Sequence, residues 1–333
     1  MKGVSVIVCC HNSAARLGAT IKHLANQNVS VAIPWEIIIV DNNSSDNTRE
    51  KAEAEWQHYS LAVPFRVVDE STPGLSAARE KGIGEAVYDF LIFCDDDNWL
   101  DPSYVSNAYQ LLHAHPQVAV VGGNNIGVFE TPPPSWLPFF QHSYAIGTQG
   151  KLNFEILEGN QYIVGAGMAF RKTAYTSIKQ KGFKFYLTDR IGNKVVGGGD
   201  VELCYIFKLA GYQIAYSSAL TLQHYMPSGR MTKKYLASMW HQYSYSWLVF
   251  EAYKAVLGTT IDAKLFTEGH WKAVAKQNLV GELSILPQYL YSRLRDDIAY
   301  SLPHEAKVLY NYFLLRNSRM LVSIIRELHT KIA

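Results

Sequence analysis

The sequence predicts an α/β protein: a mostly parallel sheet flanked by helices, with a helical extension at its C-terminal end. Three observations carry that prediction. Up to about residue 125, short β-branched runs alternate with stretches of helical period. The strand-like runs are almost continuously apolar, as expected of a sheet covered on both faces. From Met231 onward the strand pattern gives way to helical segments rich in aromatic and aliphatic residues.

Taken in order, Val4 to Val8 reads as the first strand, and Leu17, Ile21 and Leu24 follow at helical spacing. Glu36 to Val40 reads as the second strand, and Asn47 with Glu50 as a capping box for the next helix. Phe65 to Val68 is a third strand, Ser76 to Val87 a helix, Phe90 to Cys94 a fourth strand, Pro102 to His113 a helix and Val118 to Val121 a strand. Such alternation argues for right-handed crossovers. Thr131 to Trp136, with three consecutive prolines, must be an extended loop. Beyond it the pattern is mixed, with Gln161 to Val164 and Leu220 to Gln223 strand-like and Val201 to Leu209 helical.

Composition narrows the function. Of 333 residues, 48% are hydrophobic, enough for a sizeable core. The net charge of +2, from 31 basic and 29 acidic residues, provides no basic field for nucleic acid. Cys9, Cys10, Cys94 and Cys204 lack metal-ligand spacing and read as buried reduced thiols. No run approaches 18 apolar residues, and Tyr235 to Phe250 reads as a packed or interfacial helix. A cytoplasmic protein is expected, with peripheral attachment at the inner face of the plasma membrane as a variant. The basic, apolar-faced tail, with Arg293, Arg316, Arg319 and Arg326, suits packing, homo-oligomer formation or membrane contact.

In an open parallel sheet, ligands bind beyond the carboxyl ends of the strands. Here those ends carry His11-Asn12, Asp41-Asn42-Asn43, Asp69-Glu70 and Asp95-Asp96-Asp97. Three adjacent carboxylates repel one another, and a divalent cation would remove that penalty. Magnesium or manganese takes one or two carboxylates and shares its remaining positions with water and phosphate oxygens. The bland reading of the triplet is an acidic turn capping a helix. Gly197-Gly198-Gly199-Asp200 places a carboxylate beside a backbone able to turn sharply, as a general base or as an N-cap. His224, after a strand, suits a metal ligand or a satisfied histidine near the core. Gly165-Ala166-Gly167 is too weak to be a dinucleotide fingerprint.

The ordered set resembles the family 2 glycosyltransferases of the GT-A (Rossmann-like) fold, over about residues 3 to 227. Val4 to Asn12 resembles the family's opening strand, and Ile38 to Asp46 its second strand and turn. Pro73 to Arg79 is similar to the stretch before its metal motif, Asp95-Asp96-Asp97 to its DXD element, and Gly199-Asp200 to its acidic base motif. The resemblance implies an inverting transfer from a nucleotide diphosphate sugar, a UDP-sugar by preference, to a hydroxyl on a glycan or lipid-linked glycan. It implies that His11, Asn12, Asp41, Asn42, Arg79, Asp95 and Asp96 meet the nucleotide-sugar. Asp97 and His224 would hold Mn2+ or Mg2+, and Asp200 would be the base. The corresponding division is a catalytic domain at 1–230, with a nucleotide-sugar half to about 125 and an acceptor half beyond, then a helical region at 231–333. Asn42 departs from a common aspartate, and Glu80 from a common asparagine. The rivals are a nucleotidyltransferase on a related fold and an inactive sugar-nucleotide binding module.

Overall fold

The computed structural model of the chain describes residues 1–191, 194–258 and 262–332, and at 189–191 and 194–196 the backbone alone. Its first half follows the expected alternation: β1 (Val4–Cys10), α1 (Leu17–Ala25), β2 (Trp35–Asn42), α2 (Thr48–Gln57), β3 (Phe65–Glu70), α3 (Leu75–Glu85) and β4 (Phe90–Asp95). Next come β5 (Asn98–Leu100), α4 (Tyr104–Ala114), β6 (Val118–Phe129), β7 (Gly147–Thr148), β8 (Phe154–Ile156), β9 (Ala169–Arg171) and α5 (Lys172–Gln180). The chain continues through β10 (Asp189–Ile191), β11 (Lys194–Val196), α6 (Gly199–Leu209) and β12 (Gln213–Met226). Four helices end it: α7 (Lys233–Leu257), α8 (Glu268–Ser284), α9 (Leu286–Leu294) and α10 (Ile298–Ile332).

The main sheet has the order β3-β2-β1-β4-β9-β6-β12-β5, with β7 beside β6 and β8 beside β12. β1 is parallel to both neighbours, Ile7 lying opposite Ile38 and Phe93. β4 and β6 both pair antiparallel with β9, so they point the same way, and β12 runs parallel to β6. The long strands therefore share one direction and deliver their carboxyl ends to one rim.

Alternation along β1 sorts the two cores. Val4, Val6 and Val8 face α1 and α4, packing with Leu17, Ile21 and Leu112. Ile7 belongs to the opposite core, which continues through Phe207 of α6, Leu248 of α7, Trp271 of α8 and Leu321 of α10. Gly82 marks how closely α3 lies on the sheet, because a Cβ there would stand 2.3 Å from the Ile7 side chain.

Three local expectations are corrected. The Asn47–Glu50 capping box does not form; Asp46 Oδ1 instead accepts the Thr48 N–H at 3.1 Å. Gln161–Val164 joins no ladder, since Val164 N–H donates to the Gln149 side chain at 2.7 Å and Ile163 N–H to Cys204 Sγ. Side chains supply the partners a neighbouring strand would have given. β6 runs past Val121 to Phe129, because Gly123 lets it pass the Leu220 carbonyl, which a Cβ would strike. All four cysteines are free, and all but Cys9 are buried. No helix among the described residues is long and apolar enough to cross a membrane. Tyr235 to Phe250 lies within α7, with Leu236, Met239, Leu248 and Val249 buried.

One buried carboxylate ties α6 to α7. Glu202, fully buried, accepts N–H groups from Tyr186 at 2.7 Å and Leu187 at 3.0 Å and the Tyr253 hydroxyl at 2.7 Å. Removing the acceptor leaves three donors without a partner, each costing about 1–3 kcal/mol. Glu202→Ala is expected to lower unfolding stability by at least about 3 kcal/mol in urea titration, whereas Glu202→Gln, which keeps one acceptor oxygen, should lose less.

Candidate active site

The rim of β1, β2 and β4 opens onto a cleft of about 420 Å3, closed from other directions by the 165–166 turn, the start of α6, the end of β12 and α7. His11, Asn42, Arg79, Asp95, Asp96, Asp97, Asp200 and His224 all line it. These residues come from six separate stretches of sequence, and strand direction brings the strand-borne ones to one rim.

The acidic triplet caps β4, and each carboxylate faces an arginine from a different element. Arg79 of α3 lies 4.0 Å from Asp95, Arg16 lies 2.5 Å from Asp96, and Arg230 lies 2.9 Å from Asp97 Oδ2. Guanidinium groups therefore offset much of the mutual repulsion that a cation alone was expected to relieve. Asp96 also accepts the Ser13 hydroxyl, and its backbone carbonyl accepts Thr20 Oγ1 at 2.9 Å. Burial and the Asp97 charge push the Asp96 carboxyl upward, against the opposing pull of Arg16 and Ser13. Asp97 is buried too, which raises the cost of its charge. His224, with Nε2 at 3.4 Å from Oδ1, and Arg230 outweigh that cost and hold the carboxyl below its usual range. Asn98 adds a 3.1 Å donor to Oδ1.

The residues that the family resemblance assigns to the nucleotide-sugar divide into those inside the cleft and those that build it. His11 Nδ1 lies 2.8 Å from the Asn42 carbonyl, which can only accept, so the proton resides on Nδ1. Asn42 donates its amide to the Glu70 and Thr72 carbonyls at 3.1 and 2.7 Å and accepts Gly74 N–H at 2.7 Å. An aspartate could not make the two donations, which accounts for this chain's departure at the position. Asn12 and Asp41 lie outside the cleft lining. Asn12 Oδ1 receives Ser45 N–H at 2.8 Å, and Asp41 Oδ1 receives Ser44 N–H at 3.3 Å, so both shape the turn after β2. Loss of solvent around its sulfur pushes the partly buried Cys9 thiol up to about 12, which leaves it protonated and a poor nucleophile.

Asp200 sits in the first turn of α6, with the cap provided by Gly198 at φ +115°. Its Oδ2 accepts Gly165 N–H at 2.6 Å and its Oδ1 accepts Val201 N–H at 2.8 Å. Gly165, passed over as a fingerprint, matters for another reason: a Cβ there would stand 2.5 Å from the Arg79 guanidinium. Gly197 and Gly198 admit α7, since Cβ atoms there would strike Tyr243 and Phe250, and Ser246 donates to the Gly197 carbonyl at 2.7 Å.

Several lining residues escaped sequence reasoning: Arg16, Arg230, Tyr144, Tyr235, Met239 and Tyr243. Three clustered carboxylates did signal a need for nearby counter-charges, but nothing in the linear order points to Arg16 or Arg230 as the source. Trp136 and Trp240 are packed in the aromatic cluster beside the cleft, and Tyr162 is exposed.

A mixed sheet whose long strands run one way, with an acidic triplet at a strand end and a carboxylate at a helix start on one cleft, is the architecture of a GT-A-type α/β protein. The model of glycosyl transferase family 2 matches residues 5–178, just over half of the chain. The chain belongs to glycosyl transferase family 2. Among curated relatives, a cholesterol galactosyltransferase of Borreliella burgdorferi is 36% identical over 106 residues, 32% of this chain and 28% of its own length. An Escherichia coli UDP-Glc:alpha-D-GlcNAc-diphosphoundecaprenol beta-1,3-glucosyltransferase is 26% identical over 176 residues, 53% of this chain and 54% of its own. These matches thus span about a quarter to a half of those relatives. Residues 1–349 of S. aureus TarS share the fold at a TM-score of 0.53 and 15% identity, covering 96% of this chain and 92% of that one. The same protein in complex with UDP-GlcNAc gives a TM-score of 0.51.

Asn42 provides a direct test of how the loop at residues 70–74 is held. Asn42→Asp should cost about 1–3 kcal/mol at neutral pH, because two carbonyls lose their donor and face a negative charge. The introduced carboxyl would titrate higher folded than unfolded. The cost should therefore be smallest below the unfolded value of about 4 and grow as pH rises through the folded one. Chemical denaturation from pH 4 to 8, with the parent protein alongside, checks this.

Proposed function

We propose that the chain is an inverting glycosyltransferase that moves a sugar from a nucleoside diphosphate donor, a UDP-sugar by preference, to a hydroxyl of a glycan or lipid-linked glycan. The observation carrying this reading is that the acidic triplet and Asp200, more than a hundred residues apart, line one cleft. Its support from relatives is the UDP-GlcNAc complex of TarS and the UDP-Glc donor and diphosphoundecaprenol acceptor in the name of the Escherichia coli enzyme. A cytoplasmic location, with access to a membrane-borne acceptor, accords with that reading. Family membership disfavours the nucleotidyltransferase alternative.

In the proposed reaction the acceptor oxygen bonds to the anomeric carbon as the bond from that carbon to the diphosphate oxygen breaks. The acceptor proton passes to Asp200, and the nucleoside diphosphate leaves with the bonding electrons. Gly165 and Val201 N–H groups fix the Asp200 carboxylate while leaving lone pairs for that proton. His11 and Asn42 border the nucleotide end, and Asp95 with Arg79 borders the sugar.

Asp97 and His224 fit a divalent cation as a two-donor site. The Asp97 carboxylate is held ionised, and His224 presents Nε2 to it. Among the described residues no group of three His, Cys, Asp or Glu side chains converges, so the diphosphate and water would complete the shell. Bound there, Mn2+ or Mg2+ would neutralise charge on the departing diphosphate.

Two measurements test the reading. In a thermal-shift series, UDP at 100 times its dissociation constant with Mn2+ should stabilise the protein by about 2.7 kcal/mol. The gain should vanish in EDTA or in Asp97→Ala. Asp200→Asn should keep that stabilisation yet lower kcat by about 10²–10⁴; full transfer activity in this variant would remove Asp200 from the base role.

A further inference from the structure

Of the three arginines facing the triplet, only Arg230 holds the carboxylate assigned to the cation. Its Nη1 lies 2.9 Å from Asp97 Oδ2, while His224 Nε2 and the Asn98 amide approach Oδ1. Asp97 is nearly inaccessible, with its side chain 4% exposed, so no solvent shell screens the contest for its oxygens. A divalent cation and a guanidinium would then compete for one buried carboxylate.

We propose that Arg230 is an exchangeable counter-ion: it neutralises Asp97 in the empty site and transfers to the diphosphate when cation and donor bind. The inference rests on the nucleotide-site reading above and goes beyond it in assigning Arg230 a positioning role that couples the two ligands. Three features of the structure carry it. The guanidinium lines the same cleft as Asp95 and Asp200, so once released it stays among the groups that would surround the donor. It is carried on the short turn Ser228–Arg230 between the end of β12 and the start of α7, whereas Arg79 is held within a helix. The turn itself is anchored by its backbone, the Arg230 carbonyl accepting the Tyr144 hydroxyl at 3.1 Å and Ser228 N–H donating to Glu130 at 2.7 Å. The side chain can therefore change partners without moving the main chain.

The energetic consequence is a linkage. Cation alone must displace Arg230 from Asp97 and leave a largely buried guanidinium with only Asp96, which Arg16 already holds. When diphosphate arrives with the cation, Arg230 finds its second anion and the displacement is offset. Each ligand therefore raises the affinity for the other by the same factor.

The experiment is a Mn2+ titration of the full chain by electron paramagnetic resonance, with and without saturating UDP, on the parent protein, Arg230→Met and Arg230→Lys. In the parent, UDP should raise Mn2+ affinity by about tenfold or more. Arg230→Met, with the competitor gone, should bind Mn2+ alone about tenfold more tightly while UDP adds much less. Arg230→Lys keeps a charge and should retain most of the coupling. Circular dichroism checks folding, and Arg230→Gln replaces the Met variant if that one is unfolded, with the same expected direction. If Mn2+ alone binds the uncharged variant no more tightly and UDP coupling is unchanged, the exchange is overturned while the donor site stands. If the parent binds neither Mn2+ nor UDP, the nucleotide-site reading and the exchange fall together.

Discussion

Three neighbouring carboxylates at the end of one strand set the terms for everything around them. Unopposed, Asp95, Asp96 and Asp97 would resist ionising together in a buried rim. The fold resolves this by bringing a guanidinium to each: Arg79 from α3, which packs on β1 and β2, Arg16 from the loop after β1, and Arg230 from the turn leading into α7. The cleft is a negative cluster held at near-balance by positive groups of different strength and reach. The 4.0 Å pair at Asp95 and the 2.5 Å pair at Asp96 are not equivalent, so Asp95 is the more loosely held of two carboxylates that both line the cleft.

The C-terminal helices take part in that balance. α7 lies against the glycines that open α6, and its Tyr235, Met239 and Tyr243 complete the wall beside Asp200. Glu202, two residues beyond Asp200, fastens α6 to α7 through Tyr253. Carboxylates two residues apart thus serve different ends, one facing the cleft and one locking the helix that walls it. The apolar core that runs from Ile7 to Leu321 keeps this wall registered to the sheet.

On the function proposed above, the polar rim is the donor site of a family 2 glycosyltransferase. Its details remain particular to this chain. Asn42 acts as a two-donor latch on the loop before α3, and Gly165 keeps Arg79 and Asp200 within reach of the same backbone. Neither residue performs chemistry in the proposed reaction, yet both decide where the groups that do so stand.

Much of the fold was legible in the order of residues. Apolar runs of strand length, helical periods between them and polar residues at the strand ends depend on local sequence, and the observed strands and helices follow them closely. Asp97 and Asp200 stood out in the sequence as part of an acidic triplet and of a glycine-flanked run, and His224 only as a histidine after a strand; that all three line one cleft came from the structure. The antiparallel insertion of β9 and the side-chain pairing at Gln161–Val164 were not, since both depend on partners far along the chain. The same holds for Arg16 and Arg230. An arginine on a surface loop and one beside a buried carboxylate look alike in sequence, and only the convergence of strand ends selects which becomes a counter-ion. Local pattern, then, determined the elements and the acidic chemistry, while tertiary structure alone decided the pairing of charges, because electrostatic partnership depends on distance in space and on burial.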